Sequence, residues 1–583
     1  MSQTLNEQTF QLPPALGDKV AEAQDKWRSR DGTRRLWRKD AGLWTGGDEA
    51  HWLGWLDIIA GELRALAPLQ EFARKLHAQN FSDILLLGMG GSSLGPEVLS
   101  KSLGSAPGYP ALHVLDSTDP EQVRRFENGI DIARTLFIVA SKSGTTLEPN
   151  VLMDYFLGGA AAAAGSAATA QFVAITDPGS RLQQTAKEKG FRHVFLGMPS
   201  IGGRYSVLSK FGLIPLAAMG RDARAFLHDA QTMAQACGPA AQPADNPGVA
   251  LGITIGVLAD GGRDKLTLIA SRSIASFGAW VEQLVAESTG KNGRGVIPIA
   301  DEPLGDPSAY GADRVFVYLR DSARPDPAQD HTVRALEGAG HPVVRIAVAS
   351  PAHLAQEFFR FEMATAVAGA ILGINPFDQP DVEASKIATR AMTDAFEKTG
   401  ALPAEPPVFE TGGIALYTDA SNAEALRKLG AASTLESWFR AHFARRAGGD
   451  YVALLAYLDA NDSRLQALQN LRATIRDRTR LATCLQFGPR FLHSTGQAYK
   501  GGPNSGLFLQ VTAEPASDVK IPGRSASFGV IEAAQAAGDF HVLAERGRRV
   551  LRAHIAHDTD AGIAAIAKAI NRAIDKATER ARP

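Results

Sequence analysis

Short apolar runs that alternate with helical stretches constrain the fold of this chain more than any other feature. The first series comprises ILLL (84–87), LHVL (112–115), LFIVA (136–140), FVAIT (172–176) and HVFL (193–196). The second series comprises LTLIAS (266–271), VIPIA (296–300), VFVYL (315–319) and VVRIAV (343–348). Runs of this kind are typical of parallel strands that are buried on both faces. The sequence therefore predicts two doubly wound α/β domains, each with a parallel sheet between two layers of helices.

Changes in composition divide the chain into four regions. Residues 1–80 contain several tryptophans and the amphipathic stretch HWLGWLDIIAGELRAL, and we expect them to be helical. A Pro-, Gly- and Ala-rich stretch separates the two α/β domains, which we place at 81–240 and 241–404. Residues 405–583 are predicted to form a C-terminal α/β region. It should contain strands at 451–458 and 507–512, one long helix over 463–485 and a terminal amphipathic helix.

Charge and cysteine content exclude several functional classes. The net charge of −1 creates no global field for nucleic acid or for an anionic membrane, so any anion site must be local. Two cysteines cannot build a disulfide framework or a thiolate metal cage. The first residues lack the pattern of a signal peptide, and no uninterrupted apolar run reaches the roughly 18 residues of a membrane span. We therefore expect a cytoplasmic protein without nucleic-acid or membrane partners.

The stretch ILLLGMGGSSLGPEV (84–98) places a glycine- and serine-rich loop between a predicted strand and a predicted helix. Backbone N–H groups at a helix N-terminus bind anions, and glycine permits close approach. The dinucleotide pattern G-x-G-x-x-G fits only at Gly88 and Gly90, because Ser93 occupies the third glycine position. No Gly-Lys-Ser/Thr follows, so the loop is not a P-loop either. The sequence leaves a ligand cradle and a tight structural turn as alternatives.

A second polar loop, in LFIVASKSGTTLEPN (136–150), again joins a strand to a helix. Four hydroxyl side chains lie within six residues: Ser141, Ser143, Thr145 and Thr146. Capping a helix needs one hydroxyl, so four exceed that need. Hydroxyls beside helix N-terminal amides suit the three acceptor oxygens of a phosphate monoester, and we predict that this loop binds phosphate.

Five segments together resemble the glucose-6-phosphate isomerase family, whose members contain sugar isomerase (SIS) domains. The resemblance rests on GMGGSSLGPEVL, SKSGTTLEP, GGRYSVLSKFGL (202–213), QLVAESTGKNGRG (283–295) and INPFDQPDVEASK (374–386). The chain is also similar to the isomerase half of transaldolase–isomerase fusion proteins. The resemblance implies that the two predicted α/β domains are of the SIS type. It further implies reversible interconversion of glucose 6-phosphate and fructose 6-phosphate.

The resemblance also implies roles for individual residues. Glu287 corresponds to the base that moves a proton between C2 and C1, which one carboxylate can do when water is excluded. Arg204 corresponds to the residue that stabilises the enediolate, and Lys386 to a lysine implicated in ring opening. The implied substrate-binding residues are Gly90, Gly91, Ser92, Ser141, Lys142, Ser143, Thr145, Thr146 and Gln379. Asp381 departs from the family pattern, because a glycine is usual there.

The histidine that opens the sugar ring is missing from its usual place in this family. His331 and His341 lie between the glutamate and lysine motifs, but neither has the expected sequence context. His493, in GPRFLHSTGQAYKGGPNSG (488–506), is the better candidate, since imidazole transfers protons near neutral pH. A structural histidine that caps or bridges a loop remains the alternative.

The resemblance implies an isomerase that needs neither a metal nor a nicotinamide cofactor and that acts as a homodimer. One alternative is a bifunctional isomerase that also accepts mannose 6-phosphate. Another is a phosphosugar-binding regulator without catalysis. Such a regulator needs the serine and threonine loop but not Glu287, Arg204 and Lys386 together, so their co-occurrence favours an enzyme.

Overall fold

The computed structural model describes residues 4–403 and 405–579, and side chains of these residues up to residue 575. The strands in chain order are β1 (Glu7–Gln11), β2 (Asp83–Gly88), β3 (Ala111–Leu115), β4 (Thr135–Ala140), β5 (Phe172–Thr176), β6 (His193–Leu196), β7 (Lys265–Ala270), β8 (Ile297–Ile299), β9 (Arg314–Asp321), β10 (Val343–Val348), β11 (Phe409–Thr411), β12 (Ile414–Tyr417), β13 (Tyr451–Tyr457), β14 (Ala482–Phe487), β15 (Gly506–Ala513) and β16 (Arg549–Ile555).

Helices connect these strands and flank the sheets. In chain order they are α1 (Pro14–Ser29), α2 (Gly32–Trp37), α3 (Ile58–Arg64), α4 (Ala67–His77), α5 (Leu94–Leu103), α6 (Pro120–Gly129), α7 (Leu147–Ala164), α8 (Arg181–Lys189), α9 (Lys210–Ala218), α10 (Ala223–Ala236), α11 (Pro247–Asp260), α12 (Phe277–Thr289), α13 (Pro327–Gly338), α14 (Leu354–Leu372), α15 (Pro380–Thr399), α16 (Ala420–Lys428), α17 (Leu435–Ala444), α18 (Asp462–Thr479), α19 (Gly496–Gly501), α20 (Phe528–Glu545) and α21 (Thr559–Glu579).

The fold divides into two compact units. Unit 1 comprises Met1–Asp116, Phe126–Pro298 and Val315–Asp378, and unit 2 comprises Ser117–Arg125, Ile299–Arg314 and Gln379–Pro583. Most of both predicted α/β domains therefore lies in unit 1, and the predicted C-terminal region lies in unit 2. The three boundaries between the four regions drawn from the sequence stay predictions.

The first sheet has the order β3-β2-β4-β5-β6, and each neighbouring pair is parallel. Its strands coincide with the five apolar runs of the first series, which confirms the predicted parallel α/β arrangement there. Every residue of β4 and β5 is buried. Continuous apolar runs of this kind are what a strand covered on both faces requires.

The second sheet has the order β1-β10-β9-β7-β8. Four of its strands coincide with the runs of the second series, but β1 belongs to the N-terminal region for which only helices were predicted, and that prediction was wrong. The stretch EQTFQ alternates between exposed and partly buried residues and pairs antiparallel with β10, covering an edge that would otherwise be unpaired.

The amphipathic stretch at 51–66 is also less helical than predicted. Its α-helix starts only at Ile58, and short 3₁₀ turns precede it. Gly54 explains the interruption, because its backbone N–H donates to the carbonyl of Ser200 at 3.0 Å and leaves the helical hydrogen-bond pattern.

The third sheet, in unit 2, has the order β11-β12-β16-β15-β13-β14. The sequence predicted only two of these strands, β13 and β15. The predicted long helix over 463–485 was wrong at its end: α18 stops at Thr479, Arg480 takes a left-handed conformation (φ 63°), and β14 then pairs parallel to β13. A left-handed residue ends a helix, and the β-branched and apolar residues beyond it pair with an already buried strand.

One described segment, Leu147–Gln171, is long and apolar enough by length and composition alone to cross a membrane. It starts as α7, which packs on β2 and buries Leu152 and Phe156. We therefore interpret it as a helix that covers the first sheet.

Candidate active site

The two polar loops leave the first sheet side by side. Gly88 at the end of β2 pairs in parallel register with Ala140 at the end of β4. The loops that follow these strands therefore start next to each other. The carboxyl edge of a parallel sheet is where open α/β folds bind ligands, so the position suits a substrate site.

The structure explains why glycines occupy positions 90 and 91 of the first loop. Gly90 has a φ of 56°, a conformation that favours glycine. A Cβ atom added to Gly91 would lie 1.9 Å from the carbonyl oxygen of Gly203 and 2.8 Å from the backbone nitrogen of Arg204. The loop thus abuts the backbone that carries Arg204, while Ser92 beside it is buried. The tight structural turn that the sequence left open is present, and it borders the predicted catalytic arginine.

The second loop (141–146) folds into a compact group of hydroxyls. Ser141 Oγ accepts from the backbone N–H of Gly144 at 3.1 Å, and the hydroxyls of Ser143 and Thr145 lie 2.8 Å apart. Thr146 precedes α7, and its hydroxyl makes no capping hydrogen bond in the described structure. The Thr146 side chain therefore does not cap α7, and the N-terminus of a helix is a position at which phosphates bind.

Lys142 lies in the same loop but is engaged within the protein. Its ammonium forms an ion pair with Asp177 at 2.6 Å and donates to the carbonyl of Met198 at 3.3 Å. Burial lowers the pKa of Lys142, and the bond to Asp177 opposes that change. The lysine stabilises the loop in this state, and its contact with a substrate stays a prediction.

Arg204 and Glu287 form a buried pair. The guanidinium Nη1 of Arg204 lies 3.2 Å from Oε1 of Glu287, and the two residues are 2% and 8% exposed. Arg204 lies in a 3₁₀ turn that follows Gly202, and Glu287 lies in the last turn of α12. Burial strengthens electrostatic interactions and excludes water, which favours a carboxylate that must transfer a proton without losing it to solvent.

Further side chains fix the geometry of this pair. Gln283, one helical turn before Glu287, donates to its Oε2 at 2.9 Å. The Nε of Arg204 donates to Ser288 Oγ at 2.7 Å, and the Tyr205 hydroxyl lies 3.4 Å from the same oxygen. Burial raises the pKa of Tyr205, so its hydroxyl keeps its proton. Glu287 is therefore held through both carboxylate oxygens.

Lys291 is a residue of this site that the motif comparison did not single out. It is buried, and its ammonium forms an ion pair with Asp378 at 2.6 Å. Burial and the charge of Arg204 lower its pKa to about 7, against the opposing effects of Asp378 and Glu287. The Asn-Gly pair that follows Lys291 signals a tight turn, but the contact with Asp378 is too distant in sequence to be read from local patterns.

The remaining predicted site residues belong to unit 2. Gln379 directly precedes α15, and Lys386 lies in the second turn of that helix. The Lys386 side chain is 41% exposed and lies 3.4 Å from Glu383, its partner three residues before it. These two residues therefore lie at the N-terminal end of one helix, and their roles stay predictions.

Asp381, the departure from the family pattern, has specific partners in unit 2. One carboxylate oxygen accepts from Gln497 Nε2 at 2.7 Å, and the other lies 2.6 Å from Arg546. Gln497 also accepts from the backbone N–H of Asp381 at 2.9 Å. The substitution of glycine thus adds a fully partnered carboxylate to the start of α15.

His493 also lies in unit 2, at the end of a 3₁₀ turn (Arg490–His493). This turn packs against both α15 and α19. The turn that carries His493 is therefore a neighbour of the helix that carries Lys386, and His493 is partly exposed. The role of His493 in ring opening stays a prediction.

Comparisons with known proteins agree with the resemblance. A family model for phosphoglucose isomerase matches residues 73–297. The glucose-6-phosphate isomerase of Rubrobacter xylanophilus is 30% identical over 369 residues, which cover 55% of this chain and 84% of that protein. A probable glucose-6-phosphate isomerase of Methanococcus maripaludis is 27% identical over 58% of this chain and 84% of its own length.

A solved structure has the same fold over much of the chain. A hypothetical protein from Thermus thermophilus superposes with a TM-score of 0.56 at 24% identity, covering 66% of this chain and 99% of that one. The family itself is established by the extent of the match to the Rubrobacter enzyme. The chain belongs to the phosphoglucose isomerase family.

Proposed function

We propose that this chain is a glucose-6-phosphate isomerase that interconverts glucose 6-phosphate and fructose 6-phosphate through a cis-enediol. The observation that carries the proposal is the buried pair of Arg204 and Glu287, whose side chains lie 3.2 Å apart. The same unit contains the second polar loop (141–146), called the hydroxyl loop below. Family membership supports the same activity. A protein that only binds phosphosugars would need the loop but no buried base with an arginine partner.

Glu287 performs the proton transfer in this proposal. Its carboxylate removes the proton from C2 of the open-chain aldose, and the electrons move through the new C1–C2 double bond to the carbonyl oxygen. The same carboxyl then returns the proton to C1, while the proton of the C2 hydroxyl is transferred to the C1 oxygen, which yields the ketose. Arg204, whose Nη1 faces the carboxylate, stabilises the negative charge of the intermediate.

The phosphate is held in the proposal by the hydroxyl loop and its neighbours. The binding residues are Ser92, Ser141, Lys142, Ser143, Thr145, Thr146 and Gln379. Gly90 allows the turn beside them, and Gly91 allows its close approach to the backbone that carries Arg204. The Thr146 side chain does not cap α7, which supports placing the phosphate at the start of this helix. Binding the phosphate far from the reacting carbons positions them against the base.

Ring opening is assigned to His493 and Lys386. An imidazole moves a proton to or from the ring oxygen near neutral pH, and the lysine stabilises the charge that develops there. No metal or nicotinamide takes part in this scheme, since the hydrogen moves as a proton between two carbons of one substrate. On family grounds we also expect a homodimer in the cytoplasm, with a sugar phosphate as its small-molecule partner.

A coupled assay that follows glucose 6-phosphate formed from fructose 6-phosphate tests the proposal. Glu287→Gln should lower kcat by about 10³-fold, within the range that a general base contributes. Glu282→Gln on the same helix is the matched control and should stay within threefold of wild type. Wild-type inactivity with retained phosphosugar binding would instead identify a regulator. Full activity of Glu287→Gln would rule out this base, and mannose 6-phosphate as substrate measures the epimer specificity.

A further inference from the structure

Lys291 occupies a rigid position just beyond α12. The backbone N–H and carbonyl of Lys291 both bond with those of Arg294 at 2.9 Å, and Asn292 and Gly293 between them have φ values of 54° and 73°. A pair of positive φ values at Asn-Gly is the signature of a tight two-residue turn. The turn fixes the backbone of Lys291 four residues after Glu287.

The ammonium of Lys291 binds a short segment that we call the clamp segment (375–378). It donates to the carbonyl of Asn375 and forms an ion pair with the carboxylate of Asp378 at 2.6 Å. The side chain of Lys291 is 4% exposed. A buried ammonium is costly unless it is paired, so both contacts are needed to keep the charge there.

Arg204 binds the same clamp segment from its own side. Its Nη2 donates to the carbonyls of Pro376 and Asp378, each at 2.9 Å. Its Nη1 faces Glu287 at 3.2 Å. A planar guanidinium presents its donors in a fixed fork, so the carbonyls that hold one nitrogen also set the direction of the other.

Among the described residues, few other polar contacts anchor the clamp segment. Within it, the Asn375 side-chain oxygen accepts from the Phe377 backbone N–H at 2.9 Å, and the Asn375 amide donates to Asp48 at 3.0 Å. Removing the Lys291 ammonium would leave the Asp378 carboxylate without its buried cation. The carbonyls that orient Arg204 would then lose this polar anchor and keep the packing of Phe377 against Trp44 and Tyr205.

We propose that Lys291 is a positioning residue of the isomerase site, whose ammonium holds the clamp segment so that its carbonyls aim the Arg204 guanidinium at Glu287. The proposal rests on the proposed function, since the aim of Arg204 matters only if Glu287 is the base. The charges that face Lys291 are those of Arg204, Asp378 and Glu287; burial and Arg204 lower the pKa of Lys291, and the two carboxylates oppose that change. The predicted defect is mainly in turnover, because the loop at 141–146, which supplies most of the proposed phosphate contacts, is not part of this network.

The kinetic test compares Lys291→Met with Lys265→Met. Lys265 is an equally buried lysine of β7 that pairs with Asp264, so its replacement removes a buried ammonium elsewhere in unit 1. Lys291→Met should lower kcat for fructose 6-phosphate at least 30-fold with KM changed less than threefold. Lys265→Met should keep kcat within threefold, and Lys291→Gln, which retains a donor without charge, should be intermediate. Equal losses of kcat in both methionine variants would overturn the proposal.

A second measurement does not depend on activity. The backbone amide of Phe377 should exchange with deuterium at least tenfold faster in Lys291→Met than in wild type or Lys265→Met, measured without substrate on a peptide that spans 374–379. If the exchange rate is the same in Lys291→Met as in wild type, the proposal that Lys291 holds the clamp segment is overturned, whether or not the wild type is active. An inactive wild type refutes the proposed function, and the exchange result then still decides whether Lys291 holds the segment.

Discussion

Replacing Gly91 with alanine tests whether the first loop sets the position of Arg204. The new Cβ would meet the Gly203 carbonyl oxygen at 1.9 Å and its carbon at 2.2 Å, whereas real Cβ contacts essentially never fall below 3.0 Å. The two backbones must therefore separate by about 1 Å. Both partners are backbone, so no side-chain rotation can relieve the overlap.

The size of the effect follows from that displacement. Forced shifts of packed backbone cost typically about 1–3 kcal/mol of stability. A misplacement of about 1 Å at a catalytic group costs on the order of 10²-fold in rate. We therefore expect Gly91→Ala to remain folded with a lower Tm and to lose about 100-fold in kcat/KM for fructose 6-phosphate in the coupled assay.

Gly203→Ala is the matched control on the other side of the same contact. A Cβ at Gly203 would have no described atom within 4 Å beyond its chain neighbours, and Gly203 does not have a left-handed φ. This variant should stay within threefold of wild type. If folded Gly91→Ala also retained kcat/KM within threefold, the contact between Gly91 and Gly203 would not position Arg204, and the reasoning would fail.

Three further predictions concern separate parts of the molecule. Ser143→Ala should raise KM for fructose 6-phosphate about tenfold with kcat unchanged, because one hydrogen bond to a charged phosphate is worth about 1.5 kcal/mol or more; an unchanged KM, and unchanged inhibition by inorganic phosphate, would contradict this. Glu362 on α14 is fully buried, neither of its carboxyl oxygens has a hydrogen-bond partner among the described residues, and burial raises its pKa well above the ordinary value. The unfolded chain then loses this proton at a lower pH than the native state does, so the contribution of Glu362 to stability falls as pH rises from about 5 to 8. Glu362→Gln should therefore raise Tm more at pH 8 than at pH 5 in thermal unfolding, and an equal change at both pH values would refute the assignment. His493→Ala should slow turnover of ring-closed glucose 6-phosphate about 10²-fold but turnover of an open-chain substrate less than threefold, as expected for a lost general acid–base group; equal slowing would assign ring opening elsewhere.

Local sequence patterns were sufficient for the described strands of the first two sheets other than β1, because a strand buried on both faces must be a continuous apolar run. They were insufficient for β1 and β14. The short strand β1 forms because it pairs with the edge of β10, and the local sequence EQTFQ does not predict that pairing. The residues of β14 continue a helical pattern without a glycine or proline, and only the left-handed Arg480 and the neighbouring β13 separate strand from helix.

The motifs pointed to the residues of the candidate site but not to the contacts between them. Gly91 was interpreted as giving access to a sugar, whereas the structure places the Gly203 carbonyl where its side chain would be. The cost of Asp381 could not be judged without Gln497 and Arg546, which lie more than 100 residues away in sequence. Contacts between residues so far apart in sequence depend on how helices and strands pack together, and a local sequence pattern does not predict that packing.

Arg204 is the point at which these long-range contacts meet. Its backbone is approached by Gly91, its Nε is held by Ser288, and its Nη2 is held by two carbonyls of the clamp segment. Each contact comes from a different stretch of unit 1, and only Nη1 is directed at Glu287. A rigid guanidinium cannot shift one donor without moving the others. Substitutions in any of these stretches should therefore change the position of Nη1 relative to Glu287. Combined variants at Gly91 and Lys291 should therefore lose less activity than the product of their separate losses, because both act on one displaced arginine.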